Sequence, residues 1–385
     1  MGITKNTRRA LLRGAAQMGA ALFIGNRAAA SIGKGNALTD IAGRQVALPL
    51  PARRIILGDG PLAYVVALLQ PGEPFAGVVG WGDNFRSADL GGYDAYRARF
   101  PEIDRIPTFR GSAVGAIDAE LAISLEPDVV ILNLSSRAAA ESSGLMSHLA
   151  RAGIAVVFVD FRTRMFDNTT RSIEILGQVL GRSERAREFL AFRHQQIARV
   201  LRPLSGIRSR PSVMIERAAG LYDDCCLTYG DGNFGELVYA AGGDNLATRL
   251  LHSVFGTLHP EQVIASAPDI VLVTGANWSL YSPAGDWVNL GPGADLAVAR
   301  HRLMRLMRRP AYRTLAAVRN GRAYAIWHPF YDNPYYFIAL QQVAKWLHPD
   351  LFAWLDPEAT FRELHVRFLP VPYQPGYWVG LDSSV

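Results

Sequence analysis

Short apolar runs alternate with longer segments of helical periodicity along most of this chain. Strand-like runs lie at residues 54–57, 129–132 and 155–159, and apolar positions recur with helical spacing at residues 62–69 and 144–152. Short, fully apolar runs are typical of strands buried on both faces, and their alternation with helices is typical of parallel sheets. The pattern therefore predicts an α/β fold.

Two long helical patterns interrupt this alternation near the middle of the chain. Residues 168–180 and 183–201 carry apolar side chains three and four positions apart, between charged ones. We expect Ser183 to cap the second helix and Pro203 to stop it. A new series of strands begins at residue 212. The chain is thus predicted to form a lobe, a helical connector and a second lobe.

An internal repeat supports two lobes of similar fold. In residues 120–128 and again in residues 261–269, a glutamate begins a short helical pattern and Pro-Asp follows directly before an apolar run. A carboxylate in a first helical turn is stabilised by about 0.3–1 kcal/mol through the helix dipole, which alone would explain a single copy. A glutamate at the same place in both copies also fits a second explanation, in which each lobe presents a matching acidic surface to a two-fold partner.

The first thirty residues resemble an export signal. Arg8 and Arg9 precede a mildly apolar stretch at residues 14–25, and three alanines end at Ala30. The stretch is shorter than the roughly 20 residues of a membrane-spanning helix, so we expect twin-arginine export to the periplasm with cleavage after Ala30. An uncleaved anchor is the alternative. No cysteine near this point could accept a lipid, and a soluble periplasmic protein is expected.

Composition narrows the function classes further. The 385 residues are 49% hydrophobic and 19% charged, with a net charge of +6. The basic residues are scattered rather than interleaved with aromatics, which argues against nucleic-acid binding. The excess charge fits an anionic small ligand, and a generic basic surface explains it equally well.

The two cysteines, Cys225 and Cys226, are adjacent. Their sequence allows a vicinal disulfide, but we favour an ordinary pair of loop cysteines. They lack the spaced partners of a zinc site.

Six landmarks follow one another along the chain: residues 40–49, 120–128, the helix into Pro203, 235–245, 261–269 and 316–324. Singly each is weak, but their order and spacing over nearly the whole mature chain are specific. Together they resemble one family, the substrate-binding proteins of iron-siderophore, haem and vitamin B12 ABC importers.

The resemblance implies an α/β protein of two Rossmann-like lobes bridged by a long α-helix, with a ligand cleft between them. The expected divisions are a signal at residues 1–30, an N-terminal lobe at 31–166, a connector at 167–204, and a C-terminal lobe with an extended tail at 205–385. A helical connector implies small lobe movements and a largely preformed cleft. The aromatic tail at residues 368–378 is a departure from the family pattern.

The resemblance also implies a function and partners. We expect a monomeric binding protein, without enzymatic activity or resident cofactor, that carries iron only within a bound ferric siderophore-type chelate. Its partner would be an ABC permease dimer with its ATPase, and by position Glu120 and Glu261 would pair with permease arginines. Haem or cobalamin binding is the alternative within the class. An exported enzyme or a sensor using this fold is the alternative outside it, although the sequence has no phosphate-binding glycine loop and no nucleophile elbow.

Ligands of open α/β lobes bind beyond the carboxyl ends of the strands. We expect Arg110 to bind the anionic oxygens of a chelate through its planar guanidinium group, with a structural arginine as the alternative. Direct iron coordination by Tyr222, His328 or Tyr331 is less favoured than recognition of a whole chelate. The full predicted set is Asp59, Trp81, Arg110, Asn133, Arg137 and Arg162 in the first lobe, and Arg217, Tyr222, Trp278, Trp327, His328 and Tyr331 in the second.

Overall fold

The computed structural model describes residues 37–109, 117–251 and 253–381. The predicted signal at residues 1–30 and the candidate Arg110 lie outside the described residues. Within the described ranges, every helix is too short or too polar to cross a lipid bilayer.

A parallel five-stranded sheet in the order β5-β4-β3-β6-β7 forms the centre of the first lobe. A short antiparallel hairpin precedes it. The elements are β1 (Ala37–Thr39), β2 (Gln45–Ala47), β3 (Ile55–Leu57), α1 (Leu62–Leu69), β4 (Val78–Gly82), α2 (Asn84–Ala88), α3 (Leu90–Arg99), β5 (Thr108–Phe109), α4 (Ala119–Ser124), β6 (Val129–Asn133), α5 (Arg137–Ser142), α6 (Leu145–Arg151) and β7 (Ala155–Val159).

The apolar runs of this sheet are buried on both faces. In β3, Ile55 and Leu57 pack into the larger hydrophobic cluster, whereas Ile56 packs into a second cluster on the opposite face of the sheet. Val129 and Val130 of β6 divide in the same way. Successive strand side chains point to opposite faces, so a continuous apolar run is what a sheet covered on both sides requires.

Two helices connect the lobes, α7 (Met165–Val179) and α8 (Ser183–Leu204). At about 1.5 Å per residue, the 22 residues of α8 span roughly 33 Å. The two predicted end signals of α8 are wrong. Arg182, and not Ser183, occupies the N-cap position, without a side-chain hydrogen bond, and Pro203 lies inside the last turn.

The second lobe contains a five-stranded sheet in the order β10-β8-β12-β13-β14, parallel except for the β13–β14 pair. A separate two-stranded sheet pairs β9 with β11. The elements are β8 (Ser212–Glu216), β9 (Leu227–Tyr229), α9 (Phe234–Ala240), β10 (Asp244–Asn245), β11 (Phe255–Thr257), α10 (Pro260–Ser266), β12 (Ile270–Gly275), α11 (Leu296–Leu306), α12 (Ala316–Arg319), β13 (Ala323–Trp327), α13 (Tyr336–Leu347), α14 (Pro357–Phe368) and β14 (Trp378–Gly380).

The aromatic tail completes this second lobe. Its last strand, β14, pairs with β13 at the edge of the sheet. The ring of Tyr377 lies 5.2 Å from that of Trp327 and 4.6 Å from that of Phe361. The tail therefore covers one edge and one side of the lobe with aromatic surface.

The two sheets are separate, and the lobes contact each other through a buried aromatic cluster. Tyr64 of α1 lies 5.6 Å from Tyr335 and 5.9 Å from Trp327, both in edge-on geometry. The same hydrophobic cluster continues through both lobes and the connector. Burial of this size holds the lobes together without a ligand.

Candidate functional site

The carboxyl ends of strands from both lobes meet at one place. Asp59 follows β3, Arg162 follows β7, and Asp332 follows β13 of the second lobe. The Nη2 atom of Arg162 donates to Asp59 Oδ2 at 2.5 Å and also to Asp332 Oδ2. We call this cluster the Asp59–Arg162–Asp332 bridge. It confirms that strand ends of the two lobes face each other.

Arg162 already donates hydrogen bonds through its guanidinium group to several side chains around this bridge. Its Nη1 atom lies 3.4 Å from Ser135 Oγ, and its main-chain oxygen accepts from Asn233 Nδ2 at 3.1 Å. Burial raises the pKa of Asp332 to about 8, although Arg162 opposes the shift. Because one guanidinium nitrogen already contacts both carboxyl groups, Arg162 has fewer hydrogen-bond donors left for an additional anion.

Arg217 is available for an anion. It directly follows β8, and its guanidinium carbon lies 5.2 Å from the centre of the Phe255 ring and 5.9 Å from that of Tyr229. Among the described residues, no carboxylate forms an ion pair with it. A guanidinium stacked on aromatic faces keeps its hydrogen-bonding edge open to a ligand.

A buried, neutral histidine packs against aromatic rings and interacts with both arginines. The ring of His328 is 4.7 Å from Tyr331 and 5.4 Å from Trp278, and its Nδ1 atom is 2.8 Å from Thr274 Oγ1. Burial lowers the pKa of His328 to about 3, with further contributions from Arg217 and Arg162. The imidazole is therefore uncharged at neutral pH.

Exposed aromatic and apolar side chains form a rim on the second lobe. Tyr222, Phe255, Leu280 and Tyr281 are each more than half exposed. The hydroxyl groups of Tyr222 and Tyr281 interact, which together with burial raises the pKa of Tyr222. Exposed apolar surface beside a cleft is typical of ligand-binding sites. Of these four, only Tyr222 was predicted from the sequence, although the aromatic residues between 278 and 287 were a usable signal for Tyr281.

Among the cavities formed by the described residues, two with walls from both lobes lie on either side of α3. The larger, of about 410 Å³, is bounded by Asp83, Arg86, Tyr93 and Asp104 of the first lobe and by Leu280 of the second. The smaller, of about 310 Å³, lies between α3 and residues 289–294 and reaches Gln374 of the tail. Both volumes fall in the usual range of small-molecule sites.

A chain of contacts and charge interactions links seven of the predicted ligand residues: Asp59, Arg162, Tyr331, His328, Trp278, Arg217 and Tyr222. None of these seven is among the described residues that line the two cavities. Their role in binding stays a prediction.

The other described candidates are buried or paired with a neighbour on their own helix. Trp81 and Trp327 are each 1% exposed and belong to strands β4 and β13, because both strands extend further than the sequence pattern indicated. Trp81 contributes only to the floor of the larger cavity. Asn133 is buried and uses its side chain to accept from Ser135 N at 3.1 Å. Arg137 forms an exposed ion pair with Glu141 at 2.7 Å, one turn along α5.

The repeated glutamates occupy equivalent exposed positions. Glu120 lies in the first turn of α4, and Glu261 lies in the first turn of α10. Asp118 caps α4, and His259 caps α10 together with Gln262. Because other side chains satisfy the free N–H groups of both helices, neither glutamate is needed as a cap.

Two α/β lobes, a helical strut and a cleft lined by cations and aromatics define a two-lobe ligand-binding protein. The chain belongs to the periplasmic binding protein family, whose model matches residues 99–328. Members of this family are solute-binding proteins of ABC transporters rather than enzymes. A search of curated proteins returned no significant match.

Solved structures support the same assignment. The TroA-like periplasmic binding protein FepB from Veillonella parvula is 25% identical, with a TM-score of 0.81 over 90% of this chain and 100% of that one. The molybdate-bound MolA of Haemophilus influenzae is 17% identical, with a TM-score of 0.68 over 88% and 99%. The haem-binding RhuT of Roseiflexus is 21% identical, with a TM-score of 0.56 over 78% and 99%.

Proposed function

We propose that this protein captures an anionic ferric chelate of the siderophore class between its lobes and delivers it to an ABC importer. The environment of Arg217 is the observation that carries the proposal. This cation lies at the carboxyl end of a cleft strand and against aromatic rings. Among the described residues, no carboxylate pairs with it. Such an arginine offers a bidentate donor to carboxylate, hydroxamate or catecholate oxygens.

The surroundings of Arg217 favour a bulky ligand with an apolar skeleton. The rim of Tyr222, Phe255, Leu280 and Tyr281 supplies flat, rigid contact surface at low entropic cost. The continuous core between the lobes supports small lobe movements, so the cleft is expected to be largely preformed. A rigid chelate fits such a cleft better than a small ion that needs full enclosure.

The named relatives support an anionic or metal-containing ligand in this fold. MolA is bound to molybdate, an oxyanion, and RhuT is a haem-binding protein. Export by the twin-arginine route, proposed from Arg8 and Arg9, would deliver the protein to the compartment in which its family acts.

Glu120 and Glu261 are proposed to dock this protein on its permease. Both are exposed, and both occupy the same place in their lobe. Exposed charge pairs contribute little affinity, but they orient an encounter and raise its rate. A two-fold permease dimer would present one basic site to each lobe.

The experiment that tests ligand capture is a titration of the full-length mature protein, followed by tryptophan fluorescence. The probes are ferric complexes of a trihydroxamate, a tris-catecholate and citrate. We expect saturable quenching by at least one probe, with Arg217→Gln weakening that probe's affinity at least tenfold. Arg171→Gln, which removes an exposed charge on α7, is the matched control and is expected to bind normally. The absence of saturable binding by all three probes would refute the siderophore assignment.

Haem is the second candidate, and the state of His328 is the observation that favours it. The imidazole is held neutral and is fixed through Nδ1, with Tyr331 beside it. A neutral imidazole is the form that binds a haem iron. Titration with haemin is expected to give a shifted Soret band that His328→Gln abolishes. An unchanged band in that variant would exclude His328 as the iron ligand.

A further inference from the structure

The two cysteines of the chain form a vicinal disulfide. Cys225 and Cys226 are bonded to each other at the end of the loop that joins β8 to β9. The same loop begins with Arg217 and carries the exposed Tyr222. The structure thus replaces the expected pair of ordinary loop cysteines with a covalent ring beside the cleft.

The ring fixes a backbone conformation that a free chain rarely adopts. Cys226 has a φ of 80°, in the left-handed region that disfavours side chains with a Cβ atom. Its side chain is fully buried, and its main-chain oxygen accepts from Leu258 N at 3.0 Å. A bond between adjacent cysteines closes a small ring that contains their peptide unit, so this conformation is held covalently.

The buried cysteine contacts a polar cluster beneath the loop. Its N–H group donates to the carboxylate of Glu216, and its sulfur lies 3.9 Å from the Tyr312 hydroxyl oxygen. Glu216 also accepts from Tyr312 at 2.6 Å and from Arg309 at 2.8 Å. Both partners of Glu216 lie in the segment after α11, so the cluster links the loop to a different part of the lobe.

Hydrogen bonds connect the two ligand candidates of the loop to this cluster or to the residue that follows the ring. Arg309 Nη2 lies 3.4 Å from the main-chain oxygen of Tyr222. The N–H group of Arg217 donates at 2.7 Å to the oxygen of Leu227, the residue that follows the disulfide. Arg217 is therefore one hydrogen bond from the residue that follows the ring, whereas Tyr222 is linked to the ring through Arg309 and Glu216.

We propose that the Cys225–Cys226 disulfide is a positioning element for Arg217 and Tyr222, so that its reduction by a dithiol weakens ligand capture reversibly. This inference rests on the proposed function of the cleft. The disulfide acts through the loop and needs no contact with the ligand itself.

The chemical step is a thiol–disulfide exchange. A thiolate of the dithiol attacks the sulfur of Cys225, the more accessible of the two, and Cys226 leaves as a thiolate. The second thiol of the dithiol then displaces Cys225 and forms the oxidised reductant. The two cysteines take up the two protons, the protein disulfide is reduced and the dithiol is oxidised.

The test compares the oxidised protein, the protein reduced with excess dithiothreitol, and the double variant Cys225→Ala/Cys226→Ala. The probes are gallium(III) complexes of the same trihydroxamate, catecholate and citrate ligands, because gallium is not reduced by the thiol. We expect the dissociation constant to rise at least tenfold on reduction and in the double variant, and to recover on reoxidation. Dithiothreitol is expected to leave the double variant unchanged.

Hydrogen exchange separates this inference from the proposed function. Amides of residues 217–227 are expected to exchange faster in the reduced protein, while those of β12 and α13 keep their protection. Faster exchange with a weakened affinity supports the proposal. Equal exchange in the two redox states, or equal affinity despite faster exchange, overturns it. If no probe binds the oxidised protein, the proposed function fails, and exchange alone still decides whether the ring positions the loop.

Discussion

Arg162 of the first lobe donates a hydrogen bond to Asp332 of the second. The same nitrogen contacts Asp59, so one guanidinium group bridges carboxyl groups from both lobes. All three residues lie at the carboxyl ends of parallel strands, where a ligand of this fold is expected. The bridge therefore closes one part of the interface and leaves Arg217 as a cation available to a ligand.

Asp332→Asn is expected to make the free energy of unfolding depend less on pH, because it removes a buried carboxyl group that titrates. Burial raises the pKa of Asp332 from 3.8 to about 8. An acid with a raised pKa in the folded state stabilises the fold at low pH, and this contribution is lost as the pH rises towards the folded value. The free energy of unfolding of the wild type should therefore fall between about pH 4 and pH 8, by at most about 1.4 kcal/mol per unit from this group.

Asparagine resembles the protonated acid, because its amide oxygen can accept from Arg162 while its amide group donates to Asp59. Urea unfolding at several pH values gives the difference between wild type and variant, which removes the contribution of other groups. Burial also raises the pKa of Asp89, to about 6, so Asp89→Asn is a useful comparison with a lower pH window. Parallel stability curves for wild type and Asp332→Asn would contradict the prediction.

Arg162→Met is expected to destabilise the protein by about 3 kcal/mol at pH 7, because it removes the guanidinium donor of buried Asp332 and leaves buried Asp59 with Asn84 as its remaining side-chain donor. Adding Asp332→Asn should restore part of this loss, since the remaining charge on Asp59 then has an amide partner. Chemical denaturation of the two single variants and the double variant measures the coupling. Additive effects would mean that the two side chains are not coupled in solution.

Arg193→Ala is expected to lower the free energy of unfolding by about 2–4 kcal/mol. Arg193 is fully buried on α8 and donates to the oxygens of Met165 and Phe166 at 3.1 Å, and also to the Tyr336 hydroxyl group. It thus joins the start of α7 to the start of α13 across the connector. The matched control is Arg187→Ala, an exposed position on the same helix, which should change stability by less than about 0.5 kcal/mol. Equal losses of unfolding free energy in the two variants would argue against the role of Arg193 in joining α7 to α13.

Glu120→Ala/Glu261→Ala is expected to reduce uptake of the cognate chelate while ligand affinity stays near the wild-type value. Both side chains are exposed and lie away from the cleft residues, so the double change should leave the fold intact. Uptake by cells or by permease-containing vesicles, measured beside the dissociation constant, separates docking from binding. Glu126→Ala, another exposed carboxylate of the first lobe, provides the control. Normal uptake by the double variant would refute the docking role.

Much of the fold was predictable because burial leaves a local trace in the sequence. The strand at residues 155–159 and the helix at residues 62–69 were predicted with the bounds that the structure has. Strand β4 runs from Val78 to Gly82, and Trp81 therefore lies in the core rather than in the loop expected of a ligand residue. Apolar periodicity indicates which element forms, but it defines the end of an element poorly.

The candidate site was predictable only in part. Strand ends pointed to Asp59, Arg162 and Arg217, since ligands of this fold bind where parallel strands end. No local pattern showed that Arg162 is taken up by two carboxyl groups, or that Phe255 and Tyr281 form the rim. Partners such as Arg162 and Asp332 lie 170 residues apart.

The sequence by itself determined the alternation of strands and helices, the division into two similar lobes and the repeated exposed glutamates. These properties depend on side-chain periodicity and on short segments, which any stretch of chain carries within itself. Only the tertiary structure decided which cation keeps a free charge, which tryptophans are buried and where the disulfide holds the loop. Each of these depends on which strand ends the packed lobes bring together, and burial and charge pairing are properties of that assembled surface.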